Sequence, residues 1–283
     1  MNSFPSATIE TLRSAYPEKA VKLSHALGEH HLLTLQSLVE LASALPTASV
    51  EYNPGALPIG IAPEDVPTSK LSVEETIRSI EENGSWMVLK RVEQHPAYAK
   101  LLADILNEIE PIVREKTGAM LGTEAFVFIS SPGAVTPFHF DPEHNILMQV
   151  RGKKVLTVFP SDNARIVSPV AHELFHLGKH HRNLTWKDEF EALGDPVSLG
   201  AGDAIYVPVK SPHWVKNGAE VSISLSVTWR SEWSYQEADA RAMNHHLRGA
   251  GLTPSSPKRW PQSNLAKSVA FRALRKVGVV SRG

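Results

Sequence analysis

Residues 133–145 read GAVTPFHFDPEHN. His139 and Asp141 stand two apart in it, so on an extended strand both side chains leave the same face. Further along, residues 202–214 read GDAIYVPVKSPHW and deliver His213 just after another β-like run. Two histidines and one carboxylate raised from a β scaffold are the parts of a facial triad. That donor set takes three positions on non-haem iron and leaves the others for a cosubstrate and oxygen. The reading therefore needs a β-structure that brings His213 back beside His139 and Asp141.

The chain around these residues has the required texture. From Glu124 onward, the runs EAFVFISS, NILMQV, KKVLTVFP, DAIYVPV and EVSISLSVTW are short, rich in β-branched and aromatic residues, and parted by Gly, Pro and Asn. Successive strands without long helices between them predict an antiparallel barrel or sandwich. Residues 162–196 form a polar insertion in it. The first third is expected to be helix-rich. SLVELASALP stops at Pro46, LSVEETIRSIEENG opens with a Ser72–Glu75 capping-box spacing, and HPAYAKLLADILNEIEPIVREKTG is amphipathic. SWMVLKRV between them is β-like. After Trp229 the chain returns to helix, with EWSYQEADARAMNHHLRG and, beyond a Pro-rich linker, SNLAKSVAFRALRKVG.

Two spaced patterns in this region resemble the cupin superfamily. Gly133, His139 and Gly152 fall in register with its first motif, with Asp141 in place of the second histidine and Asn145 in place of the glutamate. Gly202, Pro208, His213 and Asn217 fall in register with the second motif, where Lys210 replaces a glycine. H-x-D followed by EHNILMQVRGKKVLTVFP is similar to the JmjC and cupin-like 2-oxoglutarate oxygenases, particularly the asparaginyl hydroxylase group. The resemblance covers residues 124–230 and implies a double-stranded β-helix barrel flanked by N- and C-terminal helices. It implies that His139, Asp141 and His213 hold Fe(II). Thr136 and Lys154 would take the distal carboxylate of 2-oxoglutarate, with Asn145 close by. Ser226 or Thr228 stands where relatives use an asparagine on the last core strand. The activity implied is hydroxylation or demethylation at a C–H bond of a protein side chain or small molecule, with release of succinate and CO2.

Lys154 supports this from its own position. Alternation in KKVLTVFP places Lys154 with Leu156 and Val158, and Lys153 with Val155 and Thr157, so one lysine points inward. A buried ammonium costs several kcal/mol unless paired, and a dicarboxylate ligand would pair it. The alternative is a lysine whose stem packs while its head reaches solvent. In EVSISLSVTW, Ser222, Ser224, Ser226 and Thr228 share one face. They either line a polar cavity or face solvent from an edge strand.

A second metal motif competes. His172-Glu173-Leu174-Phe175-His176 spells H-E-x-x-H, which on a helix binds zinc with the glutamate as general base. Pro169 and Gly178 leave scarcely two turns, and Gly178 comes one residue too early for the extended zinc-protease pattern. The segment is expected to be a loop or short helix that covers the oxygenase pocket. His30, His31, His144, His245 and His246 have no partner at metal-ligand spacing, and are expected to be exposed or structurally satisfied.

The whole chain, 283 residues and 42% hydrophobic, is long enough for a sizeable core. It has no cysteine, which excludes disulfides and thiolate metal sites and suits a reducing compartment. No stretch could span a bilayer and no signal peptide precedes the first helix, so the expected setting is cytoplasmic. Residues 240–283 carry nine Lys or Arg and no acid, leaving −10 on residues 1–239. Such a tail is expected mainly to contact the body, with nucleic acid or a membrane surface as lesser options. Three parts follow: a helix-rich segment (1–120), a barrel core (121–230) and basic C-terminal helices (231–283). The last helix should pack Leu265, Val269, Leu274 and Val277 on the body or on a second subunit, giving a homodimer. Besides the oxygenase, a catalytically silent cupin-type ligand-binding or regulatory protein and a zinc hydrolase are the alternatives.

Overall fold

The alternating runs in the middle of the chain form strands because each can bury one face between two sheets, and those of the larger sheet bury the other under helices. The computed structural model describes residues 2–54, 58–61 and 71–280. Its larger sheet runs β1 (Val21–Ser24), β9 (Asp203–Val207), β6 (His144–Arg151), β11 (Ser222–Ser231), β4 (Met120–Ser130), β3 (Ser85–Lys90), β2 (Val50–Pro54). The smaller sheet runs β5 (Val135–His139), β10 (His213–Asn217), β7 (Lys154–Val158), β8 (Asp195–Leu199). All the pairings are antiparallel. Leu147, Ile205 and Val207 of the larger sheet meet Leu156, Val158, Leu199 and Val215 of the smaller in one buried cluster. This is the expected two-sheet barrel. Strands β1, β2 and β3 come from the first 90 residues, so the helix-rich segment also builds sheet.

The outer face of the larger sheet carries the main core. Helix α4 (Pro96–Thr117) starts with proline at its first turn and buries Leu101, Leu102, Ile105, Leu106, Ile109, Ile112 and Val113. These belong to the same cluster as Val127, Ile129, Ile223, Leu225 and Val227 from β4 and β11. Each fully buried Leu, Ile or Val adds roughly 1.5–3 kcal/mol of transfer free energy. Helices α1 (Ser6–Ala15), α2 (Leu35–Ala44) and α3 (Val73–Arg78) complete that layer, and α3 has the expected capping box. The turn joining β6 to β7 needs Gly152. Its φ is +73°, and a Cβ there would lie 2.4 Å from the carbonyl oxygen of Val221.

Strand β11 is central, between β6 and β4, which resolves the orientation of its hydroxyl row. Ser226 is in register with Leu147 and Ser224 with Gln149, both in the barrel lining, so the serines face inward and the aliphatics face α4. They do so as satisfied donors. Ser224 Oγ donates to Gln149 Oε1 at 2.6 Å and Ser226 Oγ to Asn145 Oδ1 at 2.8 Å.

The insertion holds α5 (Pro169–His176), and the chain closes with α6 (Glu232–Gly249) and α7 (Leu265–Lys276). Helix α7 does not pack its aliphatic face on the body, which leaves the second-subunit alternative. Phe271 and Ser268 are its buried residues, with Phe271 packed on Leu177 and Ala242, while Leu265, Val269 and Val277 are exposed. One aromatic side chain inserted into a gap outweighs the aliphatic stripe that periodicity emphasises. Part of the basic tail is bound to the body. Arg248 pairs with Glu173, and Arg259 with Glu18 and Asp162, while Arg241 and Arg272 pair within the helical pair, with Glu237 and Asp239. No described helix is long and apolar enough to cross a membrane.

Candidate metal centre

Strand pairing assembles the triad. His139 ends β5, His213 begins β10, and the two are directly opposite in register. Asp141 follows β5 by two residues. One donor atom from each of the three lies within 4.8 Å of the others, and no other such group occurs among the described residues. The imidazoles are oriented by backbone. His139 Nδ1 donates to the carbonyl of Pro137 at 2.6 Å, and His213 Nδ1 to that of Ser211 at 2.9 Å. Both Nε2 atoms therefore face Asp141 Oδ2, at 3.7 and 3.8 Å. Donors about 2.1 Å from one ion at right angles lie about 3 Å apart, so a small contraction would complete a facial set.

The electrostatics suit a metal. Burial holds His139 well below the ordinary imidazole range, reinforced by Arg182 and His213 and opposed by Asp141. Burial lowers His213 as well, with Asp141 and the Ser211 carbonyl partly restoring it. Both are neutral ligands near pH 7, the form a metal requires. Burial pushes the Asp141 carboxyl up, but the Arg182 guanidinium foremost among its neighbours more than offsets this and holds it below the usual range. The result is an anion between two neutral imidazoles.

Arg182 was not legible in the sequence. Residues 182–184 of the insertion run beside the free edge of β5: Phe140 N–H donates to the Arg182 carbonyl, and Leu184 N–H to that of Phe138. Arg182 Nη2 thereby reaches Asp141 Oδ1 at 2.9 Å. One carboxylate oxygen is thus held by the guanidinium and the other is left toward the histidines, the kind of outer partner that fixes a ligand's geometry.

Lys154 points into the barrel, in register with Asn217 and on the lining face with Leu156 and Val158. It is 6% exposed, and no hydrogen-bonding or ionic partner accompanies it among the described residues. Burial alone pulls its ammonium down to about 7. Thr136 lies across from Val215 and shares the interior with it. Asn145 pairs in register with Thr228 and Val207, facing the same space. Asn217 Oδ1 is buried without a partner among the described residues. An unpaired buried cation with an amide and hydroxyls around it fits a carboxylate ligand.

The H-E-x-x-H segment does not join this centre. Helix α5 buries His172 and Glu173 rather than exposing them, and packs on α6, with Glu173 bound to Arg248. Residues 182–184 reach Asp141 itself, while α5 packs His172 and Phe175 on Phe140, the residue between His139 and Asp141. His144 is also fully buried, its Nδ1 bonded to the Tyr206 hydroxyl at 2.8 Å. Lys210, which stands at a cupin glycine position, keeps a glycine-like backbone with φ +63°. Left-handed backbone at a non-glycine residue costs on the order of 1–3 kcal/mol. Its ammonium is anchored by Glu237 on α6, and its N–H donates to the Asp141 carbonyl at 2.9 Å.

The family model described as cupin-like domain matches residues 5–235, and the chain belongs to that family. It is 34% identical over 107 residues to the lysine-specific demethylase JMJ30 of Arabidopsis thaliana, covering 35% of this chain and 24% of that protein. To the Jumonji C domain-containing protein 5 of Drosophila melanogaster it is 28% identical over 154 residues, covering 50% and 37%. The chain spans well under half the length of these curated relatives. Among solved structures, YcfD of Escherichia coli superposes with TM-score 0.54 at 15% identity, over 96% of this chain and 68% of that one. That ribosomal oxygenase in complex with cobalt and 2-oxoglutarate gives TM-score 0.51 at 16% identity, over 95% and 66%. These likenesses establish the barrel fold.

Proposed function

We propose that the protein is an Fe(II)- and 2-oxoglutarate-dependent oxygenase. The observation that carries the reading is the pairing of a buried His–Asp–His set with an unpaired buried lysine on the same barrel lining. His139, Asp141 and His213 hold the metal; Lys154 and Thr136 bind the distal carboxylate of 2-oxoglutarate, with Asn145 and Ser226 beside it. When bound, the metal and cosubstrate supply the oxidising chemistry that hydroxylates a C–H bond and releases succinate and CO2. The protein's own residues bind and orient. The Pro137 and Ser211 carbonyls fix the imidazoles, Arg182 fixes the carboxylate, and the aliphatic lining around Leu147, Leu156 and Val215 excludes water.

A protein side chain is the proposed substrate class, in keeping with relatives named lysine-specific demethylase. A cytoplasmic setting is proposed, and a homodimer would form through the exposed apolar residues of α7. Succinate formation from 2-oxoglutarate, under air with added Fe(II), tests the reading. It is expected from the wild type and not from His139→Ala. Iron-loaded wild type that makes no succinate with or without a peptide library would overturn the reading.

A further inference from the structure

Outside the barrel, the structure holds a second cleft, with mixed polar and apolar walls, that the oxygenase chemistry does not use. It measures about 210 Å³ and lies between α5, α6, the β9–β10 loop and residues 256–259. None of His139, Asp141, His213 or Lys154 lines it. At ~30 Å³ each, roughly seven waters would fill it. Its inner part gathers His172, Lys210, Glu237 and Arg241, and the half-exposed Arg259 and Asp162 stand at its rim.

His172 is 3% exposed, and neither ring nitrogen has a hydrogen-bond partner among the described residues. A neutral imidazole carries one donor and one acceptor, and leaving both unmet in a buried site is costly unless a guest meets them. Beside it, Lys210 Nζ and Arg241 Nε and Nη2 all donate to one oxygen, Glu237 Oε1. Two cations thus share one carboxylate. Arg241 Nη1 and the remaining ammonium protons of Lys210 find no acceptor among the described residues. Glu18 and Asp162 also line the cleft, and both are bound to Arg259, so those three groups form their own cluster. In the inner part, Lys210 and Arg241 against Glu237 leave one net positive charge and hydrogen-bond donors in excess of acceptors.

We propose that this cleft binds a small oxyanion, a carboxylate or phosphate group held by Lys210, Arg241 and the ring N–H of His172. Such groups match convergent N–H donors in charge and geometry. The local field agrees: burial first, then Arg241 and Lys210, hold His172 neutral, so the imidazole offers its single N–H without adding charge. The lysine in place of the cupin glycine is what brings an ammonium here. Because the Lys210 N–H also bonds the Asp141 carbonyl, the cleft and the metal centre share one loop. The proposal does not rest on the oxygenase reading.

Long-range 1H–15N NMR of the histidine side chains in the full chain tests it. The protein is titrated near neutral pH in separate arms with inorganic phosphate and with succinate, and the His172 signals are assigned by their loss in His172→Gln. Saturable shifts of those signals are expected in at least one arm. They should persist in Lys154→Met, where the barrel's own carboxylate anchor is gone, and weaken about tenfold or more in Arg241→Met. Response to phosphate alone identifies a phosphate ligand, and response to succinate alone a carboxylate. Static His172 signals in both arms overturn the proposal. So do shifts that vanish in Lys154→Met yet survive in Arg241→Met. Each variant is first confirmed folded by its backbone 1H–15N spectrum, and the wild-type arms decide by themselves whether His172 responds.

Discussion

Replacing Lys154 with methionine should make the protein more stable and less able to bind 2-oxoglutarate. The structure places this ammonium in the barrel lining at 6% exposure, with burial alone lowering it from 10.5 to about 7. The consequence for folding has a definite sign. Below about pH 7 both folded and unfolded chains hold the proton, and the full penalty of burying the charge applies. Between about 7 and 10.5 only the unfolded chain holds it, so the penalty falls by about 1.4 kcal/mol per pH unit. The total is at most about 5 kcal/mol, and relaxation of the lysine head would reduce it. Urea unfolding of ligand-free wild type and Lys154→Met from pH 6 to 10 measures this. The variant should be more stable by a few kcal/mol at the acid end, and the gap should close as pH rises. Binding tells the converse story. A charge-assisted bond to a carboxylate contributes roughly 1.5–3 kcal/mol, so the Kd for 2-oxoglutarate should rise about ten- to a hundredfold. An unchanged Kd, or a stability gap that does not move with pH, would refute the assignment of Lys154 as an unpaired buried anchor.

Arg182→Ala should weaken metal binding by about ten- to a hundredfold without abolishing it, since it frees Asp141 Oδ1 while all three donors remain; Co(II) titration followed by absorbance checks this, and wild-type affinity would count against the role. The double variant His172→Ala, His176→Ala should retain the full metal content of the wild type, because no α5 residue belongs to the donor group. Elemental analysis that finds its metal lost would restore the zinc reading. Phe271→Ala should cost about 3–5 kcal/mol of stability, as expected when a fully buried phenyl ring is removed. Val269→Ala, on the exposed side of the same helix, should change stability by less than about 0.5 kcal/mol. Equal losses in the two denaturation curves would mean that α7 packs by its aliphatic face after all.

What the sequence revealed depended on how local the signal was. The long alternating runs announced β4, β6, β7, β9 and β11, and two motifs in register placed His139, Asp141 and His213 on one barrel. Short strands outside such runs carry too little pattern to be seen: VKLS, VEYNP and DPVSL became β1, β2 and β8 only through their partners β9, β3 and β7. The serine face of β11 was ambiguous because alternation fixes which residues share a face but not which face is inside. Its central place in the sheet decided that. Arg182 and the Lys210–Glu237 pair lay beyond reach for a different reason. Each joins elements far apart in the chain, and no spacing rule links residue 182 to 141 or 210 to 237. The H-E-x-x-H motif misled in the opposite sense. His172 and Glu173 are buried, as functional groups of a zinc site would be, but Glu173 is bound to an arginine and His172 lines a separate cleft.

The central claim is that the metal belongs to His139, Asp141 and His213. Anaerobic Fe(II) titration of the wild type and of the triple variant His139→Ala, Asp141→Ala, His213→Ala, each confirmed folded by circular dichroism, tests it most directly. The account predicts one tightly held Fe(II) per wild-type chain and none in the triple variant. Full iron stoichiometry in the folded triple variant would contradict it.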